Sequence, residues 1–167
     1  MRVVDCGEPP VPAHPAQTPR LAVLTDADRS AWEPLARGYK AFYETELSDA
    51  GYDLAWARLR AGAPLLALGA WVDGPDGAKL VGIAHAVFHA SVWDDKVCYL
   101  QDLFVDPAAR GQGVAAALIE HLAGQARPNG VARLYWLTHQ DNARARALYD
   151  RVARTRGHIR YDHAMGA

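Results

Sequence analysis

The stretch of the sequence best suited to chemistry is RGQGVAAALI, at residues 110–119. Gly111 and Gly113 stand immediately before an apolar run of good helix formers. Glycine tolerates positive φ and lets another group approach the backbone closely. The first-turn N–H groups of the helix that follows have no intrahelical partner, and together with the helix dipole they favour an anion, above all a phosphate. Arg110 adds a cation at the same end, so the stretch is predicted to bind a phosphate group.

Two nucleotide-binding motifs compete with this interpretation. The P-loop pattern G-x-x-x-x-G-K-[ST] is excluded, because no Lys-Ser or Lys-Thr pair follows the glycines. The dinucleotide pattern G-x-G-x-x-G/A is met by Gly111, Gly113 and Ala116, but it normally follows the first strand of a doubly wound sheet. Here three predicted antiparallel strands precede it, and the next strand ends in Thr138 and His139 instead of an acidic residue. A dinucleotide enzyme stays open as an alternative.

A third pattern accounts for more of the sequence. The segment LQDLFVDPAARGQGVAAALI, with Arg110, Gly113 and Ala115, resembles the acetyl-coenzyme A motif Arg/Gln-x-x-Gly-x-Gly/Ala of the GNAT N-acetyltransferase superfamily. After the next predicted strand, the segment NARARALY places Asn142 at the start of a helix and Tyr149 further along it, at the family's spacing. The resemblance is nearest to the histone- and polyamine-type acetyltransferases.

This resemblance extends over about residues 20–165 and implies a GNAT-type acyltransferase fold. It implies direct transfer of an acetyl group from acetyl-CoA to a primary amine, such as a small amine, a polyamine or a lysine side chain. Loop N–H groups would bind the pyrophosphate, and the strand before the loop would open its backbone edge to the pantetheine arm. A backbone N–H there could also hold the thioester oxygen as charge develops. The implied cofactor-binding residues are Leu103, Phe104, Val105, Arg110, Gly111, Gln112, Gly113, Val114, Ala115, Ala116 and Asn142.

Tyr149 is the implied catalytic acid, which gives a proton to the leaving thiolate. A tyrosine hydroxyl with an ordinary pKa of about 10 can donate to a thiolate once water is excluded. Ala145 and Tyr149 are four residues apart and share a helix face. The plainer interpretation is a core tyrosine on an amphipathic helix. Asn142 would bind the arm of the cofactor or cap the helix, and the two roles can coexist.

The sequence does not identify the general base. Related enzymes often place a glutamate in the strand before the loop, where this chain has Gln101, which cannot take a proton. Asp102 follows it, and strand alternation predicts that the two side chains lie on opposite faces. Asp102, His139 or a chain of waters could serve, and a histidine base suits neutral pH. The missing glutamate keeps open a second hypothesis, a non-catalytic acetyl-CoA-binding or regulatory domain.

Acidic residues in two places could attract a cationic amine. One group follows Tyr43 in the segment YETELSD and consists of Glu44, Glu46 and Asp49. The other is WDD at 93–95, where Trp93 precedes two aspartates. Acidic groups beside aromatic rings would suit a polyamine or a lysine side chain, and a solvated charged face is the alternative. The seven histidines have no partners at metal-ligand spacing, so no metal is expected.

Hydrophobic periodicity predicts the elements that position these residues. The predicted strands are 20–25, 64–72, 79–90, 97–105, 131–138 and 158–165, and the predicted helices are 26–47, about 48–61, one that follows the glycine loop, and 141–153. In chain order, the four helices are predicted to carry one stripe of Trp32, Leu35, Tyr39, Phe42 and Tyr43; the apolar residues Leu54, Trp56 and Leu59; one buried stripe of Val114, Ala117, Leu118, His121 and Leu122; and an inner face of Ala145, Leu148, Tyr149 and Val152. The order β-α-α-β-β-β-α-β-α-β describes an α/β mixed sheet, with an antiparallel hairpin first and one parallel, right-handed crossover around the loop.

Length, composition and charge indicate the domain organisation, the classes of partner and the location to expect. The 167 residues are expected to form one domain at 20–167 after a Pro-rich extension at 1–19, which holds five of the ten prolines. Lys plus Arg (18) nearly balances Asp plus Glu (19), so neither nucleic acid nor a membrane surface is an expected partner. The two cysteines and the lack of a signal-type apolar segment predict a cytoplasmic protein. A homodimer is expected, because relatives often pair through their last strands and helices.

Overall fold

The computed structural model describes residues 18–166, which form a mixed sheet covered by helices on both faces. The strands are β1 (Arg20–Val23), β2 (Leu65–Gly74), β3 (Gly77–His89), β4 (Val97–Val105) and β5 (Arg133–Tyr135). The helices are α1 (Arg29–Phe42), α2 (Asp49–Arg60), α3 (Val114–Ala126) and α4 (Ala143–Val152). The predicted α/β class with a mixed sheet is confirmed. The Pro-rich extension predicted at 1–19 lies outside the described residues except for its last two positions.

The five strands follow one another across the sheet in chain order. Neighbours are antiparallel from β1 to β4, and β5 then pairs with β4 in parallel, as the crossover through α3 predicts. The predicted hairpin of β2 and β3 is confirmed. The strand predicted at 131–138 is shorter than expected, because the chain leaves the sheet after Tyr135 and Trp136 packs against the ring of Tyr149.

Two hydrophobic clusters hold the helices to opposite faces of the sheet. Leu118 and Leu122 of α3 are fully buried in one cluster, which residues of α4 join from its margin. Trp32 and Leu35 of α1 and Trp56 of α2 are buried in the other. Burying a large apolar side chain stabilises a fold by roughly 1.5–3 kcal/mol before the entropy cost, so these residues anchor the layers. In the stripe predicted for α3, Ala117 and His121 are only half-buried.

Helix α1 is shorter than the predicted span 26–47. A 3-10 turn at Asp26–Asp28 precedes it, and Thr25 and Asp28 form a capping box there. The helix ends at Phe42, and Glu44 adopts a φ of 53° while its N–H donates to the carbonyl of Ala41 at 3.1 Å. This left-handed residue stops the helix in the manner of a C-terminal αL cap.

The predicted stripes of the first two helices are only partly buried. Trp32 and Leu35 are buried, but Phe42 and Tyr43 are 55% and 41% exposed because they project beyond the sheet. In α2, Trp56 and Leu59 are buried, whereas Leu54 is exposed. Phe42, Tyr43 and Leu54 therefore do not join the core, because helical spacing identifies a stripe but not how far the facing layer extends.

The strand predicted at 158–165 is not formed: within the described residues, the chain after α4 has no helix or strand. Ile159, Tyr161 and Met165 are all exposed. Their alternation resembles a half-buried strand, but a strand needs a neighbour that pairs with its backbone. The sheet supplies only the three-residue β5 on that side. Alternation without a partner strand was an insufficient basis for this prediction.

Candidate functional site

The glycine loop has the backbone geometry that an anion site needs. After β4 and a short 3-10 turn, Gly111 and Gly113 adopt positive φ angles of 83° and 82°. Gly113 directly precedes α3, and no side chain of the described residues caps that helix. Only glycine adopts such angles without strain. The first-turn N–H groups of α3 are therefore left for a bound anion, as the sequence predicts.

Arg110 is held at the same end of the helix. Its Nε donates a hydrogen bond of 3.1 Å to the carbonyl oxygen of Val105. Its guanidinium carbon lies 5.6 Å from the ring centroid of Phe104. A backbone carbonyl and an aromatic ring thus position this cation. Its charge stays available to add to the positive end of the α3 dipole.

A cavity of about 450 Å³ opens beside this loop and gathers most of the predicted cofactor-binding residues. Its lining includes Leu103, Phe104, Val105, Arg110, Gly111, Gly113, Val114, Ala115, Ala116, Asn142 and Tyr149. Gln112 is the exception: it does not line the cavity, and its side-chain amide reaches back toward the carbonyl of Ala108 at 3.4 Å. The strand end, the loop and α4 therefore meet at one concave site.

Helices α1 and α4 add residues that the sequence analysis did not assign to the site. Tyr39, Phe42 and Tyr43 of α1 line the cavity, as do Arg144 and Arg151 of α4. The aromatic stripe of α1 was visible in the sequence, and Tyr43 was placed near the acceptor, but no role in the cavity was predicted for Tyr39 or Phe42. The two arginines are seven residues apart and share a helix face, so they bring positive charge to the cavity.

The strand before the loop has an open backbone edge where the cofactor arm was expected. The parallel ladder between β4 and β5 covers three residue pairs and ends at Tyr99 and Tyr135. Within the described residues, Leu103, Phe104 and Val105 have ladder partners only on the β3 side. Their other edge faces away from the ladder, and all three residues line the cavity. An edge of this kind can accept main-chain hydrogen bonds from an extended ligand.

Tyr149 and Asn142 both come from α4. Asn142 caps the helix, since its Oδ1 accepts a hydrogen bond of 3.2 Å from the N–H of Ala145. Tyr149 is half-buried, with its ring 5.3 Å from that of Trp136. Burial, and to a lesser degree the nearby Tyr43, raises the pKa of Tyr149 above its ordinary value. The phenol is therefore protonated at neutral pH and can donate a hydrogen bond into the cavity.

Asp102 does not lie where strand alternation predicts. A β-bulge interrupts the β3–β4 ladder, so that Asp102 pairs with His85 and Leu100 with Ala86. The extra residue, Gln101, shifts the alternation and turns Asp102 toward the α1 face. The Gln101 amide nitrogen lies 3.4 Å from Oδ2 of Asp102. The expectation that the two side chains lie on opposite faces was wrong, because a bulge changes the parity of the strand.

Asp102 is an anion beside the aromatic wall of the cavity. Burial alone would raise its pKa, but a hydrogen bond from His85, together with Tyr39 and the charge of Lys40, outweighs burial and lowers it. In turn, burial and then the negative charge of Asp102 raise the pKa of Tyr39. The same two causes raise the pKa of Tyr43. Asp102 therefore stays ionised next to two cavity-lining tyrosines.

The other candidate groups for the acceptor end lie away from the cavity. His139 is exposed and does not line it. Asp49 is paired with Arg37 at 2.5 Å, and Glu44 and Glu46 are exposed outside the lining. Trp93 is 90% exposed in the β3–β4 loop. Asp102 does not line the cavity either, but it is half-buried and hydrogen-bonds Tyr39, which does.

Two general features of the described part of the chain complete this picture. No three His, Cys, Asp or Glu side chains between residues 18 and 166 come together as a possible metal site. No helix in that part of the chain is long and apolar enough to cross a bilayer.

Comparison with known proteins identifies the family. The sequence profile of the Acetyltransferase (GNAT) family matches residues 31–153. The chain is 32% identical over 135 residues to the D-amino-acid N-acetyltransferase of Saccharomyces cerevisiae, covering 80% of this chain and 83% of that protein. It is 35% identical over 75 residues to the thialysine N-epsilon-acetyltransferase of Bos taurus, covering 45% of this chain and 44% of that one.

Among solved structures, an aminoglycoside N-acetyltransferase in complex with CoA superposes with a TM-score of 0.76 at 15% identity, covering 93% of this chain and 99% of its own. At that identity the superposition supports only a similarity of fold. The family profile and the yeast relative each match most of the chain, and they show the family to which it belongs. The protein is a member of the GNAT family of N-acetyltransferases.

Proposed function

We propose that the protein binds acetyl-CoA in the 450 Å³ cavity and transfers its acetyl group directly to a primary amine that enters beside Asp102. One observation carries the proposal: the uncapped N-terminus of α3, the open edge of β4 and the protonated Tyr149 all face one cavity. These are the three features that a pyrophosphate, an extended pantetheine arm and a leaving thiolate require.

The cofactor half of the site is built mainly from backbone. Donors at the start of α3, with Gly111 and Gly113 in positive φ, suit the pyrophosphate. Arg144 and Arg151 supply positive charge on the α4 side, where the cavity could accept a further phosphate. The edge of β4 offers N–H and C=O groups to the amides of the arm.

The proposed reaction needs little covalent chemistry from the protein. The amine nitrogen attacks the thioester carbonyl, a C–N bond forms, the C–S bond breaks and the thiolate leaves. Tyr149 donates a hydrogen bond to the developing thiolate. A backbone N–H of β4 at Leu103, Phe104 or Val105 can bind the carbonyl oxygen as it gains charge. The acetylated nitrogen loses its second proton to solvent.

The lowered pKa of Asp102 argues for a binding role at the acceptor end. A general base works best when its pKa is close to the working pH, and a carboxylate held below its ordinary range is a weak one. The same carboxylate, beside Tyr39 and Tyr43, is well suited to attract an ammonium group. We therefore place the positively charged end of the acceptor at Asp102, and the amine loses its first proton to water before attack.

The acceptor class follows from this charge arrangement. An anion with neutral aromatic neighbours favours an amine on a side chain or a polyamine. The name of one relative, a thialysine N-epsilon-acetyltransferase, supports an amine on a side chain, and that of another, a D-amino-acid N-acetyltransferase, supports a small amine without naming this kind. The association of two subunits stays a prediction, which light scattering coupled to size-exclusion chromatography would test.

Thiol release from acetyl-CoA is the direct test of the proposal. Acceptors would be thialysine, lysine, spermidine, a lysine-rich peptide, D-amino acids and an aminoglycoside. We expect amine-dependent thiol release, fastest with the amines that carry no carboxylate close to the reacting nitrogen. If no amine releases thiol while acetyl-CoA still raises the melting temperature, the proposed reaction is wrong and only cofactor binding stands.

A further inference from the structure

His85 occupies an unusual place for a histidine. Among residues 18–166 it is the only polar or charged residue that is buried, at 9% exposure of the residue. A buried polar group without hydrogen bonds would cost roughly 1–3 kcal/mol by mutational measures. No buried side-chain nitrogen or oxygen in that part of the chain lacks a partner. The ring is therefore held by specific hydrogen bonds, and its two partners determine which ring nitrogen donates and which accepts.

The contacts define which ring nitrogen carries the proton. Trp32 Nε1 lies 2.9 Å from His85 Nε2, and an indole nitrogen can only donate. Nε2 must therefore be the unprotonated acceptor. The proton of the neutral ring is then on Nδ1, which lies 2.9 Å from Asp102 Oδ2 and donates to it. The chain of hydrogen bonds runs from Trp32 through His85 to Asp102.

The first residue of this chain is rigidly packed. Trp32 is 2% exposed, and its ring lies 5.0 Å from Trp56 and 6.5 Å from Tyr52. The guanidinium of Arg29 covers it at 5.2 Å. A donor fixed from so many sides cannot turn away, so it holds His85 in one orientation and one tautomer.

Asp102, the last residue in this series of hydrogen bonds, lies beside a wall of the cavity. The Asp102 side chain is 17% exposed and stands next to Tyr39, which lines the cavity. The hydrogen bonds from His85 and Gln101 both end on Oδ2. Oδ1 makes neither of these two hydrogen bonds, so it is the oxygen left for a further donor. The bulge at Gln101 is what turns this carboxylate from the α3 face toward the cavity.

We propose that His85 and Trp32 are positioning residues for the acceptor amine: they hold the Asp102 carboxylate in one orientation, with Oδ1 presented to the ammonium group. The proposal rests on the proposed transferase function and deepens it. Neither His85 nor Trp32 lines the cavity, so we place their action through Asp102. The acceptor selected in this way carries a positive charge at or near its reacting nitrogen.

The test separates amine binding from cofactor binding with one pair of variants. In His85→Leu the donor to Asp102 is lost, while in His85→Asn the amide nitrogen stands about where Nδ1 stood. We expect H85L to raise the KM for thialysine or spermidine about ten- to hundredfold, as loss of a hydrogen bond to a charged group would. The KM for acetyl-CoA should change less than twofold, and H85N should recover most of the loss.

His89→Leu is the matched control. His89 lies four residues along the same strand, hydrogen-bonds Tyr135 and does not reach Asp102. H89L should leave both KM values within twofold of the unsubstituted protein. An H85L variant that leaves the amine KM unchanged, or raises the acetyl-CoA KM equally, would overturn the proposal. Because wild-type turnover is measured in the same assay, failure of the positioning role is distinguished from failure of the transferase function.

A second measurement takes its deciding readout from the wild-type protein. In ¹⁵N-histidine-labelled wild-type protein, the ring nitrogens of His85 report the tautomer directly, with H85N used for assignment. The Nδ1–H form is expected, and Trp32→Phe, which retains an aromatic ring but not the donor, should relax this preference. A wild-type ring protonated at Nε2 would refute the hydrogen-bond direction on which the proposal depends.

Discussion

Tyr149→Phe removes one oxygen from the site and leaves an aromatic ring in place. The ring packs against Trp136 at 5.3 Å and belongs to the margin of a core cluster, so the variant should retain its packing on α4. Burial and the neighbouring Tyr43 raise the pKa of the hydroxyl, which keeps its proton at neutral pH. The substitution therefore tests the hydrogen bond that this proton can make and little else.

Upper and lower bounds can be given for the expected loss of kcat in Y149F. A hydrogen bond to a charged group contributes about 1.5–3 kcal/mol, which corresponds to a kcat about 10- to 150-fold lower. The upper bound is modest because a thiol, with an ordinary pKa of about 8.5, is a stronger acid than a phenol at about 10. Tyr149 therefore stabilises the thiolate by a hydrogen bond instead of surrendering its proton early. The thiolate develops only as the C–S bond breaks, so the loss should fall on kcat.

The assay is thiol release at saturating amine, with acetyl-CoA affinity measured separately by calorimetry. Y149F should show the lower kcat with a Kd for acetyl-CoA within about threefold of the wild-type value. Tyr135→Phe is the matched control, because the Tyr135 hydroxyl binds His89 at 3.0 Å and the residue does not line the cavity. A kcat for Y149F within twofold of that of Y135F would refute the assignment of Tyr149 as the acid.

Three further predictions concern the loop, the end of α1 and the acceptor carboxylate. Gly113→Ala places a side chain at a φ of 82°, so it should destabilise the fold by about 1 kcal/mol and weaken acetyl-CoA binding severalfold in calorimetry; an unchanged Kd would contradict the phosphate role of the loop. Glu44→Gly relieves the strain of a φ of 53° and should raise the free energy of unfolding in urea by about 1 kcal/mol, and the absence of any gain would argue against strain there. The pKa of Asp102 is lowered on folding, so its stabilisation is present above its unfolded pKa of about 3.9 and is lost as pH falls through the lower folded value. Asp102→Asn should therefore flatten the loss of stability below about pH 4 in urea titrations, and an equally steep loss would show that other groups dominate.

The loop and the overall order of elements could be predicted because they depend on neighbours in the chain. Two glycines before an apolar helix predict a loop whose backbone can approach an anion, and the structure shows both at positive φ. Asn142 and Tyr149 lie on one short helix, so their spacing alone brings them together. The hairpin of β2 and β3 likewise depends on a turn between two apolar runs.

Two other sequence patterns, the aromatic stripe of α1 and the alternation in 158–165, did not predict the structure that forms there. The aromatic stripe of α1 was visible, but whether Phe42 and Tyr43 meet a core or a cavity depends on where the sheet ends. The alternation in 158–165 was visible too, but a strand requires a partner of sufficient length, and β5 has three residues. In both cases the pattern is present in the sequence, but packing against the facing layer or a partner strand decides the outcome.

By itself, the sequence predicted the family, a glycine loop suited to phosphate and Tyr149 as a candidate acid, since each depends on residues close together in the chain. Only the tertiary structure decided what stands at the acceptor end. A bulge of one residue at Gln101 reverses the face of Asp102, and strand periodicity cannot reveal it. The hydrogen bond between Trp32 and His85 joins residues 53 positions apart, and it forms because α1 packs on β3. Hydrogen bonds of that kind depend on packing between layers, which no local pattern encodes.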